Sequence, residues 1–129
     1  MRSPLVVAGA VGAATVALHV RDPHASGSWG ICPLFAATGI YCPGCGGLRA
    51  VNDLTNADLL GAASSNLLFV ASIPVLAFLW ARWFGRSWQG RPAMPGRERS
   101  QYLLAAVVVA VLLVFTVVRN LPFGSWLAP

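Results

Sequence analysis

Lysine is absent from this 129-residue chain, and acids are nearly so: four Asp and Glu stand against nine basic residues, every one an arginine. Charged residues make up 10% of the sequence and hydrophobic ones 57%, far from the balance of a water-soluble domain. So thin a supply of surface charge excludes an ordinary soluble fold. The net charge of +5 does not point to nucleic acid either, because the arginines flank apolar segments and form no patch interleaved with aromatics. Also missing are a Ser/His/Asp arrangement, a phosphate-binding glycine loop and carboxylates paired at helical spacing, which argues against a catalytic site of those kinds. There is no internal repeat and no low-complexity tract. A basic complement made only of Arg suggests a genome rich in G and C.

What remains is long apolar runs, read as one membrane domain over residues 1–129 with spans at about 4–20, 60–83 and 102–118 and a cysteine-bearing loop at 21–58. The first run, Leu5 to Val20, lies between Arg2 and the pair Arg21-Asp22 and is barely long enough to cross. A positive start and a short run of small residues also describe a cleavable signal peptide. Against cleavage, Gly9, Ala13 and Ala17 recur every four residues and offer a smooth face for close helix packing. The second run starts at Asp58, a fitting N-cap, and passes through Asn66 and Pro74 to Trp80 and Trp83 at the aromatic belt. Pro74 is expected to kink it. The third run, Tyr102 to Val118, is the cleanest and stops at Arg119-Asn120.

The loop between the second and third runs carries Arg82, Arg86, Arg91, Arg97 and Arg99, with Glu98 as its single acid; the loop after the first carries Arg21 and Arg49, offset by Asp22, Asp53 and Asp58. The positive-inside rule therefore places the arginine-rich loop and the N-terminus in the cytoplasm, and the cysteine loop and the C-terminus outside. The expected fold class is an all-α membrane protein of three transmembrane helices, with short interfacial helices in its first extracytoplasmic loop.

Within that loop, Cys32-Pro33 opens a short apolar stretch closed by Gly39, a helix of about two turns. Then comes Cys42-Pro43-Gly44-Cys45-Gly46-Gly47-Leu48-Arg49-Ala50. Two thiols three residues apart suit a tight disulfide, a dithiol redox pair or half of a zinc knuckle. Pro43 fits the first position of a helix, which would make Cys42 the N-cap and set Cys45 one turn in, where the helix dipole favours a thiolate. The plainer alternative is a sharp turn that lets backbone pack closely. An extracytoplasmic setting favours a disulfide, so two of Cys32, Cys42 and Cys45 are expected to be joined.

Asp22-Pro23, Cys32-Pro33, the run Thr38 to Ala50 with its Cys-Pro-Gly-Cys-Gly core and following Arg49-Ala50, and then Asn66 resemble the bacterial DUF2752 family. The resemblance covers the middle of the chain and implies a small multi-spanning membrane protein built round the cysteine motif. It implies no reaction, substrate or cofactor. One departure is Leu67, where many relatives would have Pro after the Asn.

Three functions compete. The leading one is a non-enzymatic accessory or scaffolding subunit of a larger bacterial membrane complex, respiratory or of the envelope, with lipid and other membrane subunits as partners and no cofactor. A thiol-disulfide enzyme would use Cys42 as attacking thiol, Cys45 as resolving thiol and Cys32 as relay, but no thioredoxin-like element order surrounds them. A structural metal site would take Cys32, Cys42, Cys45 and His24. Arg119 ends the third span on the side of the cysteine loop, against the charge bias, and its planar fork can hold a carboxylate or backbone carbonyls; it is expected to pin that loop through one of Asp22, Asp53 and Asp58, the alternative being a snorkelling membrane anchor that meets only headgroups.

Overall fold

The computed structural model describes residues 2–25, 27–91 and 98–128; Arg97, counted above among the loop arginines, lies outside them. The described residues are all-helical, in the order α1 (Arg2–Val20), α2 (Pro33–Thr38), α3 (Gly47–Thr55), α4 (Leu59–Trp88), α5 (Glu98–Arg119) and a short 3₁₀ helix (Pro122–Leu127). Three of these, α1, α4 and α5, are long and apolar enough to cross a membrane. Local chemistry sets their ends. The Asp58 carboxylate accepts the Gly61 N–H at 2.8 Å and caps α4, as its position suggests. Pro33 begins α2, and Gly39, at φ 72°, ends it in the left-handed region that glycine enters freely. Beyond the second span's expected limit, α4 continues to Trp88 along a ladder of Trp80, Phe84 and Trp88, with Trp80 and Phe84 stacked at 5.4 Å.

The break in α4 falls at Asn66, whose φ/ψ of −161°/90° is extended, and not at Pro74, where the backbone stays helical. The physical reason is that Asn66 acts as an internal N-cap: its Oδ1 accepts the N–H of Phe69 at 2.9 Å. A second helix thus starts inside the first, at Leu67.

Buried residues gather at one end of the bundle. There α3 lies across α1 and α4, with Leu18, Ala50 and Ala62 at the contact. Asn52, itself buried, donates to the carbonyl of Leu18 at 2.8 Å and so occupies an acceptor at the last turn of α1. Away from this end the long helices touch little. Nothing lies within 4 Å of a side-chain carbon added at Gly9, and Ala13 and Ala17 are exposed, so the small-residue face of α1 has no partner among the described residues. At its far end α1 is tied by the Trp80 indole, which donates to the carbonyl of the buried Pro4 at 3.3 Å. No residue in the apolar window of α5 is buried. Instead α5 is held at its C-terminal end, where the 3₁₀ helix folds back against α4 and α5. Gly124 makes that return possible, since any side chain there would collide with the carbonyl of Val118.

Candidate functional site

The site is built at this buried end, around the cysteines. Cys32, not Cys42, takes the N-cap position followed by a first-turn proline, at the start of α2. The Cys42–Cys45 segment is instead a turn, closed by the Cys45 N–H on the Cys42 carbonyl at 3.1 Å and the Gly47 N–H on the Gly44 carbonyl at 3.0 Å. Gly46, at φ 80°, then caps α3. The expected helix start at Pro43 is therefore displaced, because a left-handed residue is needed to swing the chain from turn to helix and Gly46 supplies it.

This path brings all three thiols together. Cys32 Sγ lies 3.4 Å from Cys42 Sγ, Cys42 Sγ lies 3.1 Å from Cys45 Sγ, and the three sulfurs fall within 4.8 Å of one another. None is bonded to another: the cysteines are free thiols, which corrects the expected disulfide. An S–S bond measures about 2.05 Å, well inside the separations here. The cluster's environments differ. The backbone N–H of Phe35 and then the neighbouring thiols favour the Cys32 thiolate and lower its pKa to about 7. Burial, reinforced by the adjacent Cys42 and Cys32 thiols, pushes Cys45 up to about 12. Of Cys32 and Cys45, the more acidic thiol is thus Cys32.

His24, counted as a fourth metal ligand, is engaged elsewhere: its Nε2 lies 2.7 Å from Asp53 Oδ1. The described residues bring no His, Asp or Glu into the cysteine cluster. As ligands they offer three thiols, able to hold a thiophilic ion.

Below the cluster sits Arg119, 1% exposed. One guanidinium nitrogen donates to the carbonyls of Cys42 and Cys45 at 3.0 and 3.1 Å, the other to those of Leu127 and Ser65 at 2.8 and 3.4 Å. The rings of Phe115 and Tyr41 lie 5.0 and 5.8 Å from its charged centre. The three aspartates offered as partners are committed otherwise: Asp22 accepts the His24 N–H, Asp53 faces His24 and Ser65, and Asp58 caps α4. Arg119 meets the loop through backbone carbonyls, because the turn points two of them at the end of α5.

Asn66 works from the other side. Its amide nitrogen donates to the carbonyls of Pro43 and Cys45 at 2.8 and 3.1 Å while its oxygen caps the second half of α4. Arg49 is half-buried and reaches the Pro23 carbonyl at 3.4 Å. Sequence reasoning missed Asn120, which exchanges two hydrogen bonds with the backbone of Tyr41, one in each direction at 2.9 Å. Its place beside Arg119, polar at the end of a span, was the available signal. Tyr41 in turn stacks on Phe35 at 4.5 Å. An open cavity of about 740 Å³ adjoins the thiols, with Trp29, Tyr41 and Arg49 on its wall.

Residues 32–80 match the family model DUF2752, a protein of unknown function. No curated protein and no solved structure matches the chain. The DUF2752 segment contains all three cysteines, Arg49 and Asn66, and so confirms the resemblance drawn from the motif. It excludes α1 and α5, and with them Arg119.

Proposed function

We propose that this protein is a non-catalytic accessory subunit of a bacterial membrane complex, presenting α5 to a helix of a larger partner. The observation that supports this is the state of α5: its apolar window is wholly unburied, yet its end is fixed by a buried arginine with four carbonyl contacts. A helix held only by its lipid affinity has no need of such a clamp. A clamp of this kind sets the direction in which α5 leaves the cysteine cap and keeps it splayed from α4. The groove so opened, about 420 Å³, has Leu68 and Phe69 on one wall and Val107, Val108 and Val111 on the other. Lipid tails are as apolar as these side chains, so association there rests on packing, which a preset groove favours by reducing the ordering left to the moment of binding. The cysteine cap lies outside the membrane in this reading and the arginine-rich loop inside.

The test is photo-crosslinking in native membranes from Val111, on the groove, and Leu113, off it. One discrete protein adduct from Val111 and lipid adducts from Leu113 are expected. Lipid adducts from both positions would show that α5 meets only the bilayer.

A further inference from the structure

We infer that Cys32, Cys42 and Cys45 form a zinc site, with three thiolates from the chain and the fourth position open to an exogenous ligand from the adjoining cavity. The inference stands apart from helix docking. It begins with geometry. Two of the sulfurs come from one turn and the third from the capping position of a different helix, ten residues earlier in sequence, yet all lie within 4.8 Å. Tetrahedral zinc with bonds of about 2.3 Å sets its sulfurs about 3.8 Å apart. The cluster, at 3.1 and 3.4 Å across two of its edges, needs to spread there by about 0.7 and 0.4 Å to admit the ion.

Charge selects the metal. Among the described residues no carboxylate lies against the buried Arg119 cation: Asp22, Asp53 and Asp58 all bond elsewhere, and its Nε finds no partner there. A buried charge of this kind calls for a counter-charge nearby. Three thiolates with Zn²⁺ carry one net negative charge, which the single guanidinium against the Cys42 and Cys45 carbonyls balances. Three thiolates with Cu⁺ would carry two negative charges, which Arg119 alone does not balance; the Arg49 guanidinium on the cavity wall is turned to the Pro23 carbonyl at 3.4 Å. Binding of Zn²⁺ releases three thiol protons and leaves the sulfurs as the ion's ligands, with no change of oxidation state.

The fourth position follows from what does not join. His24 is held by Asp53 at 2.7 Å, His19 lies 3.0 Å from the Thr55 hydroxyl, and among the described residues no other histidine or carboxylate enters the cluster. The half-buried thiols face the cavity walled by Trp29, Tyr41 and Arg49, which leaves room for water or a small anion on the metal.

The test uses the full chain purified in mild detergent without chelator. Elemental analysis is expected to find one zinc per chain, and Co²⁺ exchanged into the site to show thiolate charge-transfer absorption that shifts when azide is added. Cys32→Ser leaves the Cys42–Cys45 turn and its contacts with Arg119 in place, so it is expected to fold, to weaken zinc binding by about tenfold or more and to dim the cobalt band. His24→Asn is expected to leave the zinc stoichiometry unchanged. Zinc well below one per chain in protein with three alkylatable thiols would overturn the inference. So would a disulfide in the freshly isolated protein, preferential retention of Cu⁺, or loss of zinc in His24→Asn.

Discussion

Arg119 carries more of this structure than any other single residue. Replacing it with Gln removes the charge and most of the fork; the carbonyls of Cys42 and Cys45 keep the Cys45 N–H and the Asn66 amide, while those of Ser65 and Leu127 lose the donor that Arg119 gave them. Each buried polar group left unpaired costs about 1–3 kcal/mol, so a loss of several kcal/mol is expected, read as a lowered thermal midpoint in detergent. Arg119→Lys is expected to recover only part of it, because an ammonium cannot span two pairs of carbonyls as a planar fork does. An unchanged midpoint in Arg119→Gln would return the residue to the role of a membrane anchor. At the thiols, brief alkylation of chelator-treated protein is expected to mark Cys32 before Cys45, since backbone N–H contact favours one thiolate and burial opposes the other. Peptide mass spectrometry reads the order directly. The cysteine motif stood out from spacing alone, and so did Arg119 from its place against the charge bias. Their actual partners did not, since a backbone carbonyl has no letter in the sequence.

Among the elements, α4 is two helices joined at Asn66. That makes Leu67 the first residue of the second, a position where proline is favoured and where the extended backbone of Asn66 suits a following proline. Leu67→Pro is therefore expected to leave the thermal midpoint unchanged or to raise stability by about 0.4–1 kcal/mol. A fall of several degrees would mean that the Leu67 N–H is needed. Asn66→Ala, by contrast, removes the cap and two bonds to the cysteine turn together, with an expected cost of about 2 kcal/mol or more. The same midpoint measurement separates the two variants. Pro74 was the conspicuous residue for a kink, yet a span can absorb a proline with helical dihedrals, whereas an asparagine that caps from within must leave them.

At the scale of the whole molecule, cohesion is concentrated in a polar and small-residue cap, with three apolar helices leading away from it. The end of α1, the start of α4 and the end of α5 all meet at that cap. With Arg82, Arg86 and Arg91 toward the far end of α4, the topology we propose puts the cap on the extracytoplasmic side. Alkaline phosphatase fused after Pro129 and expressed in a bacterium is expected to be active, and inactive when fused after Arg91. The reverse pattern would invert the topology.

Composition and run length by themselves determined three apolar helices, a short helix at Cys32-Pro33 and the N-cap at Asp58, because each depends on residues close together in the chain. Only tertiary structure decided that Cys32 joins Cys42 and Cys45, that His24 turns to Asp53, and that Arg119 grips carbonyls. Those contacts link positions 8 to 77 residues apart, and they exist because α3 packs across α1 and α4 while the 3₁₀ helix returns to α5. No local pattern encodes which distant backbone groups a fold will leave in need of a donor.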